Sequence, residues 1–152
     1  MRTRALLVAL AALVAVPAMA QEHFTQGPVW VIDFYRIGDD QFENYMKYLR
    51  GSVVPQDEEA KKQGLILETK TFLQQPRDPQ DWNIAFARLY RNAADALDYS
   101  KERDDKEKAI AAKQYQTTDE GKQREMIKPR LEMRRYIGST TVREVTLRPM
   151  TK

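Results

Sequence analysis

The apolar positions of this chain recur first as an unbroken run, then in alternation or at three- and four-residue steps, and each change of period marks an element. Val29-Trp30-Val31-Ile32-Asp33-Phe34-Tyr35-Arg36 is rich in branched and aromatic residues, which predicts a strand largely covered on both faces. Gly27-Pro28 ahead of it reads as punctuation. Gly38-Asp39-Asp40 then offers a turn and an acidic cap, and Phe42, Tyr45, Met46, Leu49 and Val53 recur at helical spacing. An amphipathic helix over about 40–63 follows, expected to be kinked or interrupted at Pro55, which lacks an N–H and crowds the preceding turn. Gly64 should end it.

Leu65 to Leu73 sets Leu65, Leu67, Thr69 and Thr71 against Ile66, Glu68, Lys70 and Phe72, the period of a half-covered strand. A loop from Gln74 to Asp81, with Pro76, Asp78 and Pro79, leads into a third strand, Trp82 to Tyr90, so strands two and three form a long-looped hairpin. Asn92 caps a second helix that opens with Ala93, Ala94, Ala96 and Leu97. Its middle carries opposite charges four residues apart: Lys101 with Asp105, Glu102 with Lys106, Arg103 with Glu107, and Asp104 with Lys108. That is the mark of a self-paired, solvated face. Thr117 to Glu120 fits a capping box for a short further helix through Met126 and Ile127, which Pro129 should disturb. Thr140 to Arg148, with Val142, Val145 and Leu147 apolar, reads as the last strand. The chain shows no fixed-period repeat and no low-complexity tract.

One apolar stretch stands outside this scheme. Arg2 and Arg4 precede the run Ala5 to Val16, and Pro17-Ala18-Met19-Ala20 ends in a small-x-small pattern, so residues 1–20 read as a cleaved export signal. The run is about 12 residues where a membrane span needs roughly 20. The expected product is residues 21–152, a single domain without a membrane span, periplasmic or secreted. Lys and Arg number 25 against 22 Asp and Glu, and Arg2 and Arg4 are among the 25, so the domain itself is close to neutral with its charges interspersed. Nucleic acid and anionic membrane are therefore rejected as partners.

The chain has no cysteine, which removes disulfides, iron–sulfur clusters, thiolate nucleophiles and cysteine zinc sites. Its single histidine, His23, follows the expected cleavage point closely and reads as a solvated tail residue, so a Ser-His-Asp relay or a multi-histidine metal site is not expected. No cofactor and no metal are expected. An exported domain without disulfides must hold its fold by its core or by a subunit contact.

The order strand, helix, strand, strand, helix, strand is the ferredoxin-like split βαβ: α+β, a four-stranded antiparallel sheet with helices on one face, here with an extended second helical region. In its sequence the chain resembles the dimeric α/β barrel superfamily, carried by Val29 to Arg36 running into Phe42-Glu43-Asn44-Tyr45-Met46-Lys47-Tyr48-Leu49, by Gly64, and by Trp82 to Tyr90 running into Asn92-Ala93-Ala94-Asp95-Ala96-Leu97. The match spans about residues 28–98, more loosely Thr140 to Arg148, and leaves Asp98 to Tyr136 as an extension. The resemblance implies a homodimer of face-to-face sheets and a ligand-sized cavity between helices and sheet, without specifying a reaction. Haem-dependent members would bring a histidine ligand, which the resembling segment lacks.

Charged residues inside covered strands are the candidates for chemistry, because an unpaired buried charge is costly. Asp33, Arg88 and Arg143 qualify as catalytic candidates. With strands one and three as central neighbours and strand four beside strand one, Asp33 is expected to meet Arg143 or Arg88 as a structural ion pair, or else to serve substrate binding or proton transfer. Alternation groups Asp33 with Val31 and Tyr35, and Arg88 with Ile84 and Phe86. Trp30, Tyr35, Trp82, Phe86 and Tyr90 either form core or line an apolar pocket, joined by Asn44 and Tyr48 of the first helix as hydrogen-bonding candidates. The leading expectation is an exported homodimer binding a small apolar or aromatic ligand. A cofactor-independent monooxygenase or isomerase using Asp33 or Arg88, and an envelope protein-interaction module docking through the charged helix from Asp98 to Lys113, are the alternatives.

Overall fold

In the computed structural model, residues 23–150 are described, and the expected signal at 1–20 lies outside them. The elements are strand β1 (Phe24–Ile37), a 3-10 turn (Asp39–Gln41), helix α1 (Phe42–Tyr48), a π turn (Leu49–Val53), α2 (Val54–Lys62), β2 (Glu68–Leu73), β3 (Ile84–Tyr90), α3 (Ala93–Leu97), α4 (Lys101–Tyr115), α5 (Glu120–Met133) and β4 (Arg134–Leu147). The sheet order is β2-β3-β1-β4 and every pairing is antiparallel, the ferredoxin-like α+β arrangement expected from the order of elements. All helices pack on one face. No helix among the described residues is long and apolar enough to cross a membrane.

The registers assign each strand residue to a face. On the helix side, Val29, Val31, Asp33, Tyr35 and Ile37 of β1 stand beside Tyr90, Arg88, Phe86 and Ile84 of β3. The core sits there: Ile37, Tyr45, Leu49 and Ile84 are buried together, with Tyr35, Phe42, Met46, Tyr48, Val53, Phe86 and Met133 packed around them. The helical stripe Phe42, Tyr45, Met46, Leu49, Val53 thus meets the sheet as its spacing predicts. The other face carries no helix, and Trp30 with Ile32, Ala87 and Leu89 forms a second, smaller cluster on it.

Several boundaries correct the expectations. Gly27 and Pro28 lie inside β1, not before it, at a register shift between Gln26 and Val29. The bulge accommodates proline, and glycine fits closely, since a Cβ at Gly27 would lie 3.1 Å from both Cβ and O of Glu144 on β4 and press that residue back by a few tenths of an ångström. Exposed His23 continues this pairing, its carbonyl accepting the Arg148 N–H at 2.8 Å. The helix is not broken at Pro55, which falls in the first turn of α2 after the π turn. An α ladder would direct the missing residue-55 N–H to the Gly51 carbonyl, and Gln114 Nε2 of α4 donates there instead at 3.1 Å. Gly64 (φ +70) closes α2 in the left-handed conformation, with Leu65 N donating to Ala60 O at 2.9 Å.

The second helix is two helices. Asn92 caps α3 by accepting from Asp95 N, the chain extends at Asp98, and Ser100 caps α4. Three of the expected charge pairs form on α4, at 2.6 Å for Lys101–Asp105, 2.7 Å for Lys106–Glu102 and 3.1 Å for Lys108–Asp104. Arg103 instead donates to the Asp98 carbonyl at 2.6 Å and closes the α3–α4 corner. Asp119, not Thr117, caps α5, accepting from Gly121 and Lys122. The helix runs through Pro129 into a β4 that begins six residues before the expected Thr140.

Asn83 ties the hairpin loop to the end of β1. Its side chain accepts from Ile37 N at 2.8 Å and donates to Ile37 O at 2.9 Å, both contacts buried. Asn83→Ala would orphan two buried backbone groups and is expected to lower the unfolding free energy by about 2–4 kcal/mol in urea titration. Asn83→Asp, which keeps the acceptor and loses the donor, should fall between the variant and the parent.

Candidate functional site

The candidates divide between the two faces of the sheet. Asp33, Tyr35, Phe86, Arg88 and Tyr90 point to the helices, whereas Trp30 lies on the open face with its Nε1 donating to Glu144 at 2.7 Å and Lys70 Nζ 4.9 Å from its ring centre. Trp82 packs on Phe34 at 5.2 Å. The alternation that groups Asp33 with Tyr35 and Arg88 with Phe86 holds, but the expected ion pair does not. Asp33 sits opposite Phe86 and Ser139, four residues along β1 from Val29, which is the residue opposite Arg143, and Arg143 donates to Gln26. Arg88 reaches away from Asp33 to Asp57 on α2, with both Nε and Nη2 at 3.1 Å from Oδ1. Asn44 is exposed and bonds Gln41, so it faces solvent and not the cleft.

The π turn explains why Asp57 is there. Its wider coil sets the phase of the helical stretch so that Leu49, Ser52 and Val53 of the turn point inward while α2 presents Gln56, Asp57 and Ala60 to the sheet. Against β3 and α4 these residues enclose a cavity of about 280 Å³. One wall is apolar, made by Val53, Ala60, Leu65, Ile66 and Ile110. The other is polar, made by Gln56, Asp57, Arg88, Tyr90, Glu107 and Arg130. Burial opposes the charge on Arg88, but Asp57, with Tyr90 and Asp33, outweighs it and holds the guanidinium pKa above its ordinary value. The Arg88–Asp57 pair is thus internally neutralised and lines the cavity as a dipole.

A layer of tyrosines and arginines continues from the cavity beneath α5. Arg130 Nη1 donates to Tyr48 Oη at 3.3 Å and its guanidinium stands 5.7 Å from that ring. Arg134 donates to the buried Tyr45 hydroxyl at 2.8 Å and stacks 4.0 Å over Tyr35, which in turn lies 5.9 Å from Phe86. Cation–π contact lets these cations sit among rings without a carboxylate beside them. Gln56 Nε2 donates to Ser52 O at 3.0 Å and reaches Tyr115 Oη at 3.4 Å. Burial raises Tyr115, but hydrogen bonds from Ser52, Gln56 and Tyr48 prevail and bring its hydroxyl below the ordinary 10.0.

Of the sequence candidates, Arg88 and Tyr90 line the cavity, and Tyr35 and Phe86 back the adjoining layer. Sequence reasoning missed Gln56, Asp57, Glu107, Ile110 and Arg130. All five lie on helices, where only the charge run that holds Glu107 was read as a solvated face, and the one available signal was Pro55, whose placement after a helical stripe signals an irregular turn. Among the described residues, no cluster of three His, Asp or Glu side chains could hold a metal ion.

Burial raises Tyr35, Tyr45, Tyr48 and Tyr90 above the ordinary 10.0. The folded state therefore keeps protons that the unfolded chain releases near pH 10.0, so stability is full below that pH and falls as pH rises through the folded-state values. Urea titrations stepped upward from about pH 8 should show an alkaline decline that Tyr45→Phe makes shallower. No family model, curated protein or solved structure matches this chain.

Proposed function

We propose that the protein is an exported homodimer of the dimeric α/β barrel type that binds a small apolar or aromatic molecule between its helices and its sheet. The cavity against β3 is the observation that carries this reading: about 280 Å³, apolar along one wall and polar along the other, at the lower edge of the size that takes an organic ligand. Export rests on the basic, apolar and small-x-small segments of residues 1–20.

Dimerisation rests on the helix-free face. Phe72 and Val142 are each 44% exposed there, beside Trp30, Ile32 and Phe34, so a strip of rings and aliphatic side chains faces water across the sheet. Lys70 and Glu144 bracket the strip, and a two-fold axis brings opposite charges of this kind together. A second sheet of the same kind covers the strip as the first covers it.

The enzymatic alternative is less well supported. A cofactor-independent oxygenase or isomerase needs Asp33 or Arg88 free at the ligand, yet Arg88 is held by Asp57 and Asp33 is not among the residues lining the cavity. Docking through the charged helix draws little support from α4, six of whose charges pair along its own length while Arg103 donates to the Asp98 carbonyl.

Sedimentation should give twice the chain mass, and Phe72→Glu combined with Val142→Glu should halve it while the circular dichroism spectrum persists; a monomeric parent protein overturns the dimer. Monocyclic aromatic compounds should raise the melting temperature, and Ala60→Leu, which fills the cavity from α2, should abolish that rise. A rise undiminished by Ala60→Leu puts the ligand elsewhere and overturns the cavity reading.

A further inference from the structure

We infer that the cavity ligand carries one negative charge, a carboxylate bound by Arg130, with its apolar body against Val53, Leu65, Ile66 and Ile110; this rests on the cavity being the ligand site. The charges in the lining lead to it. Four charged residues line the cavity, Asp57, Arg88, Glu107 and Arg130. Arg88 and Asp57 neutralise each other at 3.1 Å. Glu107 is exposed and hydrated, so its charge is screened by water. Arg130 is the charge left over on the protein side. It is partly buried, its Nε is buried without a hydrogen-bond partner, and among the described residues its one hydrogen bond goes to the Tyr48 hydroxyl.

A guanidinium has five donors and is among the better matches for a carboxylate, which accepts two parallel N–H bonds. Stacking on Tyr48 holds the Arg130 fork in place before any ligand arrives, so little side-chain freedom is lost on binding. The same charge count argues against other ligand classes. A phosphate dianion would need a second free cation, and Arg88 is committed to Asp57. An amine would meet the fixed positive charge of Arg130 within the polar wall. A neutral ring would leave the buried Arg130 Nε without a partner, which is costly. A volume near 280 Å³ accommodates a single ring or a short branched chain with one carboxylate, and little more.

Phenylacetate, phenylacetamide and phenethylamine share a ring and differ in charge, and they test the inference by calorimetric titration of the full domain. Phenylacetate should bind roughly ten- to a hundredfold more tightly than its amide, with the amine weakest, as expected for a charge-assisted pair. Arg130→Gln should remove that preference while leaving phenylacetamide affinity unchanged, and Arg130→Lys should restore part of it. In the unmodified protein, the Arg130 Nε–H resonance should shift on adding phenylacetate, a readout that does not depend on a variant folding. Equal affinity for acid and amide, or an Arg130 signal that does not move while phenylacetate binds, overturns the carboxylate and leaves the cavity reading standing. Failure of all three compounds to bind overturns both.

Discussion

Strand β1 is hydrogen-bonded along both edges and covered by helices on one side only, and the rest of the structure follows from that asymmetry. Each residue of the strand must satisfy one of two environments. Tyr35 and Ile37 enter a core closed by α1 and the π turn, while Trp30, Ile32 and Phe34 face the side that carries no helix. Burying apolar area is the main favourable term in folding, and here one face of the sheet has taken it up fully while the other has not. Phe72 and Val142 remain at the surface on that second face, and Trp30 is shielded by Ile32, Ala87, Leu89, the Lys70 side chain and the pairing with Glu144.

The helix side solves a different problem. Three arginines, Arg88, Arg130 and Arg134, lie beneath or beside the helices, where unpaired charge is expensive. Two solutions serve them: Arg88 takes a carboxylate, while Arg134 and Arg130 each take a ring face and a hydroxyl, Arg130 keeping a buried Nε without a partner. The tyrosines that accept these contacts are kept protonated by the same burial that makes the arginines need them. The cavity lies where this layer ends, between the π turn, α2, β3 and α4.

Much of the architecture was legible along the chain. Alternation and helical spacing are local properties, so β1, the stripe Phe42 to Val53, the hairpin of β2 and β3, the Asn92 cap and the Gly64 stop all follow from short windows of residues. The errors have a common origin. Pro28, Pro55 and Pro129 were each read as an interruption; Pro28 and Pro55 are tolerated because a neighbour in space removes the penalty, a bulge against β4 and a π turn served by Gln114, and Pro129 stands inside α5. The early start of β4 has the same cause, since Arg134 and Tyr136 gain their strand position from Tyr35 and Tyr45, which lie some hundred residues earlier in the chain.

The site was less legible than the fold for a related reason. Arg88 and Tyr90 were recognisable because a strand period exposes an out-of-place charge or ring, whereas Asp57, Glu107 and Arg130 sit on helices where any charge looks solvated. The residues alone determined the order of elements, which side chains share a face, and the absence of thiol and histidine-relay chemistry, because those depend on composition and on neighbours a few positions away. Tertiary structure alone decided that Arg88 pairs with Asp57 and not Asp33, and that Arg130 borders a cavity, because the contacts of α2 and α5 with the sheet join residues far apart in the chain, which no short window of sequence records.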